Sequence, residues 1–429
     1  MRIVYLHQYF VFPSGTGGTR SYDLSSGFKK HGIEVEVVTS SAFIDEIKNN
    51  FVSGWNILEE DGIRFHILKL DYSNNLSYFR RILVFLQFIW YASFRLLSIE
   101  CDLVLATSTP LTIGIPAMVK KMIHKTPYIF EVRDVWPEAV IAIGAIKNRL
   151  IQKLLYWLEY LIYRNAKGIV PLSPDMLTSI VSRYPELKSK PIKVIENISE
   201  IERFQKGFNP SICLIREKIG FKPRFTVLYA GTFGRVNGIE YVINLASKTL
   251  PIDSGIVFVL IGSGSEEASL KARAKHAGVL NKNVFFLEPI PKNQLAQLYY
   301  EVDLGSSFVI PITELWANSA NKFFDSLASG KPILINYGGW QKGLIKQENV
   351  GYVLPPVLDR TFNVQNFISF TTDFSALQQQ RKNALRLAKL SYSLQTAIYK
   401  YLKLFEEIGL SNELPINEVQ WESELVSKN

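Results

Sequence analysis

The sequence predicts an α/β protein with two doubly wound, Rossmann-like domains, and three observations support this prediction. The chain has 429 residues, more than one ordinary hydrophobic core can organise. A strand, a glycine-rich turn, a helix and a second strand follow one another over residues 2–39, and the same order begins again at Phe225. The polar segment 197–222 separates the two series. We therefore expect a first domain over residues 1–198 and a second domain over residues 207–392.

Composition indicates which partners and which cellular compartment are to be expected. The chain carries 48 Lys and Arg against 39 Asp and Glu, but the basic residues are scattered and no nucleic-acid motif accompanies them. We therefore expect no nucleic acid and favour an anionic membrane surface. Cys101 and Cys213 lie far apart without metal-ligand spacing, which fits a reducing compartment. The first apolar run is short and lacks a signal-peptide cleavage site, so a cytoplasmic location is expected.

A glycine-rich turn lies between the first predicted strand, residues 2–10, and a helix over residues 21–30, with a strand over 33–39 after it. The turn contains Gly15, Thr16, Gly17 and Gly18. Glycine amides can approach a phosphate closely, and the positive end of a helix follows them. The spacing is not G-x-G-x-x-G, so we expect no dinucleotide cofactor. A plain turn is the alternative.

The segment Tyr78–Leu97 predicts an unusually apolar helix. Its uncharged part, residues 82–94, is too short to span a bilayer. Arg80, Arg81 and Arg95 flank it, and it contains a Trp-Tyr pair of the kind enriched at membrane interfaces. A helix lying in the membrane surface is one interpretation. A core helix that is buried on all sides is the other.

A charged motif follows the predicted strand Tyr128–Val132, which comes after another strand over residues 103–106. The carboxyl end of a buried strand is where open α/β sheets place their sites. Asp134 can orient an acceptor hydroxyl or accept its proton, and Arg133 can pair with a phosphate through two parallel hydrogen bonds. An Arg-Asp pair that caps the next helix is the alternative. Four more elements are predicted after this motif. They are an amphipathic helix over residues 149–163 that faces the core, a strand over 168–173, a helix over 174–184 and a last strand over 192–196.

The second series opens with the strand Phe225–Ala230 and a turn over residues 231–238. Gly231 and Gly234 let backbone amides approach a diphosphate, and Arg235 supplies positive charge. A loop with an exposed arginine is the alternative. A second glycine turn follows the strand Ile256–Ile261, and it contains three candidates for donor binding, Gly262, Gly264 and Glu266.

The central stretch, residues 316–333, lies between apolar runs at 304–310 and 332–336 and predicts a loop and a short helix. Ser319 or Asn321 can cap this helix. The polar residues left near its positive end are Ser319, Asn321, Lys322 and Asp325. That end favours an anion, so Lys322 can contact a phosphate and Asp325 can accept a hydrogen bond from a sugar hydroxyl. A capped surface helix is the alternative.

These motifs resemble those of retaining GT-B glycosyltransferases of the family-4 type. Segments 133–138 and 319–332 are similar to a WbuB-like branch of bacterial enzymes that extend lipid-linked surface polysaccharides. The resemblance spans nearly the whole chain. It implies two Rossmann-like domains facing across a cleft, with the C-terminal part, about residues 393–429, crossing back to the first domain. Two positions depart from the family, since Ala317 replaces the first of two acids and Asn237 replaces a lysine.

The motifs and the resemblance together define the candidate site. Donor-binding residues are Gly17, Gly18, Gly231, Arg235, Gly262, Gly264, Glu266, Ser319, Asn321, Lys322 and Asp325. Acceptor-binding residues are Gly15, Thr16 and Glu138. Catalytic residues are Arg133, Asp134, Arg235 and Lys322. No metal ligand is assigned, because no D-x-D motif occurs in the chain.

The resemblance implies a retaining, metal-independent transferase of hexosyl or N-acetylhexosaminyl type without a cofactor. The donor would be a nucleotide-diphosphate sugar, and the nucleotide expected from the family is UDP. The acceptor would be a polyprenyl-diphosphate-linked saccharide at the inner face of the cell membrane, in O-antigen, capsule or exopolysaccharide assembly. One alternative is a UDP-sugar 2-epimerase, which would need histidines and acids in its cleft, and His7 is the plausible histidine. The other is a non-catalytic scaffold that binds a nucleotide sugar, which the two departures Ala317 and Asn237 would allow.

Overall fold

A computed structural model describes residues 1–44, 51–71 and 78–410. The chain divides into two compact units. The first contains Met1–Glu196, Ala317–Ser319 and the described residues from Leu394 onward, and the second contains Asn197–Trp316 and Ala320–Ser393. Each unit has its own sheet with helices packed on it, as the predicted fold class requires.

The first unit has a seven-stranded sheet with the order β3-β4-β2-β1-β5-β6-β7. The strands are β1 Arg2–Leu6, β2 Glu34–Ser40, β3 Trp55–Glu60, β4 Ile63–Leu68, β5 Leu103–Thr107, β6 Tyr128–Val132 and β7 Gly168–Pro171. Neighbouring strands are parallel except for β3 and β4. The helices are α1 Arg20–Lys30, α2 Tyr78–Leu97, α3 Gly114–His124, α4 Glu138–Ala142, α5 Arg149–Asn165 and α6 Pro174–Arg183.

The second unit has a six-stranded parallel sheet with the order β10-β9-β8-β11-β12-β13. The strands are β8 Phe225–Ala230, β9 Ile256–Ile261, β10 Val284–Leu287, β11 Leu304–Ser307, β12 Ile333–Ile335 and β13 Gly351–Val353. The helices are α7 Ile201–Lys206, α8 Leu214–Ile219, α9 Glu240–Thr249, α10 Glu267–His276, α11 Leu295–Glu301, α12 Asn321–Ala328, α13 Gly339–Glu348, α14 Val364–Thr372 and α15 Phe374–Ser391. The last described helix, α16 Leu394–Glu407, belongs to the first unit and packs there against α1.

The helices of the first unit cover both faces of its sheet. Side chains of α2, α3 and α5 share one core cluster with inward-facing residues of β1, β5 and β6. The chain moves to one side from β1 to β2 but to the other side from β5 to β6. Because parallel crossovers are right-handed, this reversal places α1 on the opposite face. Gly27 of α1 admits Ile398 of α16, whose Cδ1 would come within 2.7 Å of a Cβ added at that position.

Two local predictions are wrong. The strand predicted over residues 192–196 is reduced to an isolated bridge between Ile169 and Ile192. Lys193 and Ile195 still donate to carbonyls of β7, but Pro171 has no N–H with which to continue a regular ladder. The segment 197–222, predicted as an irregular linker, contains α7 and α8.

Candidate functional site

In the second unit, the turn after β8 is closed by its own side chains. The Tyr229 hydroxyl donates to the Thr232 carbonyl at 2.9 Å, and Asn237 Nδ2 donates to the same oxygen at 2.8 Å. Asn237, which occupies the position where the family pattern has a lysine, therefore stabilises the loop. Arg235 is exposed in this turn, and no hydrogen bond or ion pair involves its side chain among the described residues.

The two glycine turns of this unit pack backbone against backbone. A Cβ on Gly262 would overlap the Gly231 carbonyl, and a Cβ on Gly264 would overlap the Phe233 carbonyl. The Gly231 N–H donates to Ile261 O at 2.9 Å, so that amide is not free for a diphosphate as the sequence predicted. The Gly234 amide has no hydrogen-bond partner in the part of the chain that the structure describes. Gly262 and Gly264 therefore shape the turns, and Gly234 keeps an available donor.

Lys322 lies directly beside the first of these turns. Its ammonium group is 5.0 Å from the centroid of the Tyr229 ring and would lie 3.2 Å from a Cβ on Gly231. Within the described residues it forms no hydrogen bond or ion pair. Burial lowers the pKa of Lys322 to about 8, although Asp325 opposes the shift. The structure thus holds a partly desolvated cation beside a glycine turn without a direct counter-ion.

Asp325 is held differently from the prediction. Its carboxylate is buried and pairs with Lys292 Nζ at 2.5 Å, and Glu200 lies 3.6 Å from the same nitrogen. Its predicted role as acceptor for a sugar hydroxyl requires an accessible oxygen, whereas the carboxylate faces Lys292 inside the unit. Lys292 is more than thirty residues away in the sequence, which is why the local pattern did not reveal the pair.

The predicted capping of α12 is wrong. The helix begins after Ala320, and no side chain caps it. Ser319 is buried and belongs to the first unit, whereas Asn321 is exposed as the first helical residue. Glu266 precedes α10, where its backbone N–H donates to Phe233 O at 3.0 Å.

In the first unit, a buried network surrounds Glu131 on β6. Arg20 Nε and Nη2 each lie 3.0 Å from Glu131 Oε2, and Thr107 Oγ1 donates to Oε1 at 2.6 Å. The Tyr401 hydroxyl of α16 also donates to this carboxylate. Burial alone would raise the pKa of Glu131, but Arg20 and Arg133 hold it well below its usual range. The carboxylate is therefore ionised and connects β6 with α1, β5 and α16.

Arg133 belongs to this network rather than standing as a free cation. Its Nε donates to Thr107 Oγ1 at 2.8 Å and to Glu131 Oε1 at 3.0 Å, and its Nη2 donates to Ser21 Oγ at 2.6 Å. Nη1 has no protein hydrogen-bond partner among the described residues. A phosphate approaching Arg133 would therefore find one unoccupied nitrogen instead of the free fork that the sequence predicted.

His7 is an inner member of the same network. Its Nδ1 lies 2.9 Å from Ser21 Oγ, and the ring is buried. Burial, and then the neighbouring Arg133, lowers the pKa of His7 well below its usual value. A histidine that is enclosed and whose pKa is lowered is a weak general base, so the surroundings of His7 do not favour the epimerase alternative.

The remaining predicted residues of this unit lie on its surface. Asp134 is exposed and accepts from Thr109 Oγ1 at 2.8 Å. Glu138 accepts from Ser179 Oγ at 2.8 Å and pairs with Arg183, which ties α4 to α6. The Gly15 N–H donates to Phe12 O at 2.9 Å, Thr16 and Gly17 are exposed, and Gly18 is half-buried.

Family models match both halves of the chain. The model described as "Glycosyl transferase 4-like domain" matches residues 15–197, and the model described as "Glycosyl transferases group 1" matches residues 213–386. The chain belongs to the GT-B glycosyltransferases.

Individual relatives of this glycosyltransferase are distant. It is 22% identical to the alpha-D-kanosaminyltransferase of Streptomyces kanamyceticus over 70% of its own length and 72% of the relative's. The sucrose-phosphate synthase of Thermosynechococcus elongatus superposes with a TM-score of 0.72 at 15% identity, covering 95% of this chain and 98% of that one. HepE from Anabaena, solved with UDP and glucose, gives a TM-score of 0.68 at 17% identity over 95% and 100%. These similarities show that the fold is GT-B.

Sequence reasoning missed four residues of the glycosyltransferase that the structure places around the predicted ones. They are Arg20, Glu131, Lys292 and Tyr401. One signal was available, because Glu131 is the only charged residue in the strand Tyr-Ile-Phe-Glu-Val, where a buried acid requires a partner. The partners themselves come from distant parts of the sequence. In the described ranges, no group of three or more His, Cys, Asp or Glu residues could hold a metal ion.

Proposed function

We propose that this glycosyltransferase moves a hexosyl or N-acetylhexosaminyl group from a UDP-sugar to a polyprenyl-diphosphate-linked saccharide, with retention and without a metal. The observation that carries the proposal is Lys322, an ammonium group without a direct counter-ion beside the Gly231 turn. A departing diphosphate is the kind of anion that such a site stabilises. The relative HepE, which was solved with UDP and glucose, supports UDP as the nucleotide.

The chemical demand is charge stabilisation. The bond between the sugar and the β-phosphate weakens while negative charge grows on the diphosphate. Lys322 is prepared for this role because its desolvated ammonium gains most when an anion arrives. Arg235, exposed in the same turn, adds a second cation, and the Gly234 amide adds a donor. In the first unit, Asp134 is the accessible carboxylate that can orient the acceptor hydroxyl.

A lipid-linked acceptor agrees with the surface of α2. Its outward side chains include Leu86, Trp90 and Phe94, all exposed, whereas Phe88 and Ala92 are buried against the sheet. This helix is therefore not buried on all sides, as one of the two interpretations required. No helix in the described ranges is long and apolar enough to cross a membrane. We propose that the enzyme is peripheral to the inner face of the cell membrane, in surface-polysaccharide assembly.

A donor and acceptor assay tests the proposal. Purified enzyme is incubated with UDP-, GDP-, dTDP- and ADP-sugars and a polyprenyl-diphosphate-linked saccharide, with a chelator present, and nucleotide release is measured. We expect release from a UDP-sugar only when acceptor is present, and a loss of at least about tenfold in kcat/KM for Lys322→Met. Nucleotide binding without release for any pair would instead support a scaffold, and a requirement for added metal would contradict the metal-independent route.

A further inference from the structure

The helix α5 carries a second apolar surface. Its amphipathic sequence predicted a core-facing helix, and one side does pack inward through Ile162 and Tyr163. The other side points outward, with Leu150 76% and Trp157 57% exposed and Leu154 between them. These three positions lie at i, i+4 and i+7, so they form one row along the helix. The inward side of α5 faces the core as predicted, whereas the second, outward apolar row was not predicted.

This row lies on the same side of the first unit as α2. The three helices α2, α3 and α5 contribute to one core cluster on one face of the sheet, and α3 packs against both of the others. The end of α3 is itself apolar and open, with Met122 73% exposed and Ile123 beside it. We call the exposed apolar residues of α2, the end of α3 and α5 the apolar face. They are Leu83, Leu86, Trp90, Tyr91, Phe94, Met122, Ile123, Leu150, Ile151, Leu154 and Trp157.

The exposed charged side chains of the three helices that form the apolar face have one sign. Helices α2 and α3 contain no acidic residue, and the single acid of α5, Glu159, is buried in an ion pair with Arg183. The exposed basic residues in and next to these helices are Arg80, Lys125, Lys147, Arg149, Lys153 and Arg164. Scattered exposed apolar side chains are ordinary, but a clustered set rimmed by charges of one sign indicates an interaction surface.

We propose that α2, the end of α3 and α5 dock together on an anionic phospholipid surface, with their apolar rows in the headgroup boundary and their basic residues on the lipid phosphates. Apolar area combined with a basic rim is the pattern that binds such surfaces. The proposal deepens the membrane association inferred above and rests on it for the source of the lipid. A second copy of the chain fits less well, because a two-fold contact through this face would bring basic rim against basic rim.

Binding to phospholipid vesicles tests whether the apolar face docks on a membrane. Full-length protein is sedimented with vesicles of phosphatidylcholine alone or of phosphatidylcholine with phosphatidylglycerol. Wild type should bind the anionic vesicles, and Leu154→Ser with Trp157→Ser should bind them at least about tenfold more weakly. The α2 pair Leu86→Ser with Trp90→Ser should show a similar loss. Phe374→Ser is the matched control, since Phe374 is 69% exposed but lies in the second unit, and it should bind like wild type.

A charge variant tests the basic rim. Lys153→Glu with Arg164→Glu should weaken binding to the phosphatidylglycerol vesicles by at least about tenfold and leave the weak binding to neutral vesicles unchanged. Equal binding of wild type to neutral and anionic vesicles would overturn the role of these charges. If the α5 variant binds vesicles like wild type while the α2 variant does not, the proposal that α2 and α5 dock together is overturned, and α2 is the sole contact.

Two further measurements separate the proposals. UDP titration of every variant should match wild type, because the substitutions lie in the first unit and on its surface. Loss of vesicle binding with intact UDP binding supports the docking face, whereas vesicle binding in a protein that binds no nucleotide defeats the proposed function alone. Light scattering adds a final outcome, since a dimer that the α5 variant dissociates, in a protein that ignores vesicles, would identify the face as a contact between copies.

Discussion

The cations at the end of the first sheet and beside the first turn of the second unit are held in opposite ways. In the first unit, Arg20 and Arg133 both contact the buried Glu131, and their remaining donors mostly reach side chains and carbonyls. In the second unit, the Lys322 ammonium lies over the face of Tyr229 and, within the described residues, forms no hydrogen bond or ion pair. Cations with satisfied hydrogen bonds fix a conformation, whereas a desolvated cation without a direct counter-ion is prepared for a ligand. The difference supports a structural role for the Glu131 network and the proposed diphosphate binding for Lys322.

Two lysines of the second unit, Lys292 and Lys322, show the same contrast. Lys292 is buried and neutralised by Asp325, while Lys322, on the same helix as that acid, is left without an ion pair. The Asp325 carboxylate thus pairs directly with Lys292, and its charge acts on Lys322 only as a smaller influence that raises the pKa of that lysine.

The largest effect is expected at Glu131. Replacing Glu131 by Gln leaves two guanidinium groups in the interior without their carboxylate, so the free energy of unfolding should fall by about 3–5 kcal/mol. Urea denaturation followed by circular dichroism measures it. Glu59→Gln is the control, because its pair with Arg64 is exposed and should contribute little. A Glu131 variant as stable as wild type would show that the network is not the structural cluster described here.

A smaller effect is expected where the two glycine turns meet. Gly264→Ala places a methyl group against the Phe233 carbonyl, so the turns must separate, at a cost of about 1–3 kcal/mol. UDP affinity should fall with stability, because Lys322 is positioned over the same turn. Gly343→Ala is the matched control, since a methyl there meets nothing within 4 Å and its helical position should be neutral or slightly stabilised. Equal effects of the two substitutions would contradict a tight turn pair.

The smallest effect is a pH dependence. Lys322 is protonated below its pKa of about 8 and neutral above it, so UDP affinity should be constant below that pH and fall as pH rises through it. The expected loss is roughly tenfold across the first pH unit or two above the pKa. Lys322→Arg, whose charge persists, should bind UDP with a flat profile over this range. Calorimetry from pH 7 to pH 9.5 checks it, and a wild-type profile as flat as that of the arginine variant would remove Lys322 from the anion site.

The sequence predicted the elements better than the contacts between them. Strand Tyr128–Val132 and helix Tyr78–Leu97 begin and end where the pattern placed them, because local hydrophobic runs and breaking residues determine those limits. The local charge pattern also led to Lys322 and Arg133. Their functional state could not be predicted, since the pairing of Asp325 with Lys292 and the contacts of Arg133 with Thr107 and Ser21 depend on how distant segments pack.

The face of α5 shows a second limit. Amphipathic periodicity predicts that an apolar row will be covered, but it does not say what covers it. In α5 two apolar rows exist, and the sheet accepts only the one with Ile162 and Tyr163. The row with Leu150 and Trp157 becomes visible only when the position of the sheet is known.

Calorimetric titration of UDP in the absence of metal is the most direct test of the central claim. It should be run on wild type, Lys322→Met and Lys331→Met. Burial also lowers the pKa of Lys331 to about 8, but its ammonium donates to the Tyr300 carbonyl at 3.1 Å. We expect Lys322→Met to weaken UDP binding about 10- to 100-fold and Lys331→Met to leave it unchanged. Equal affinity in all three proteins would show that the cation without a direct counter-ion is not the diphosphate site.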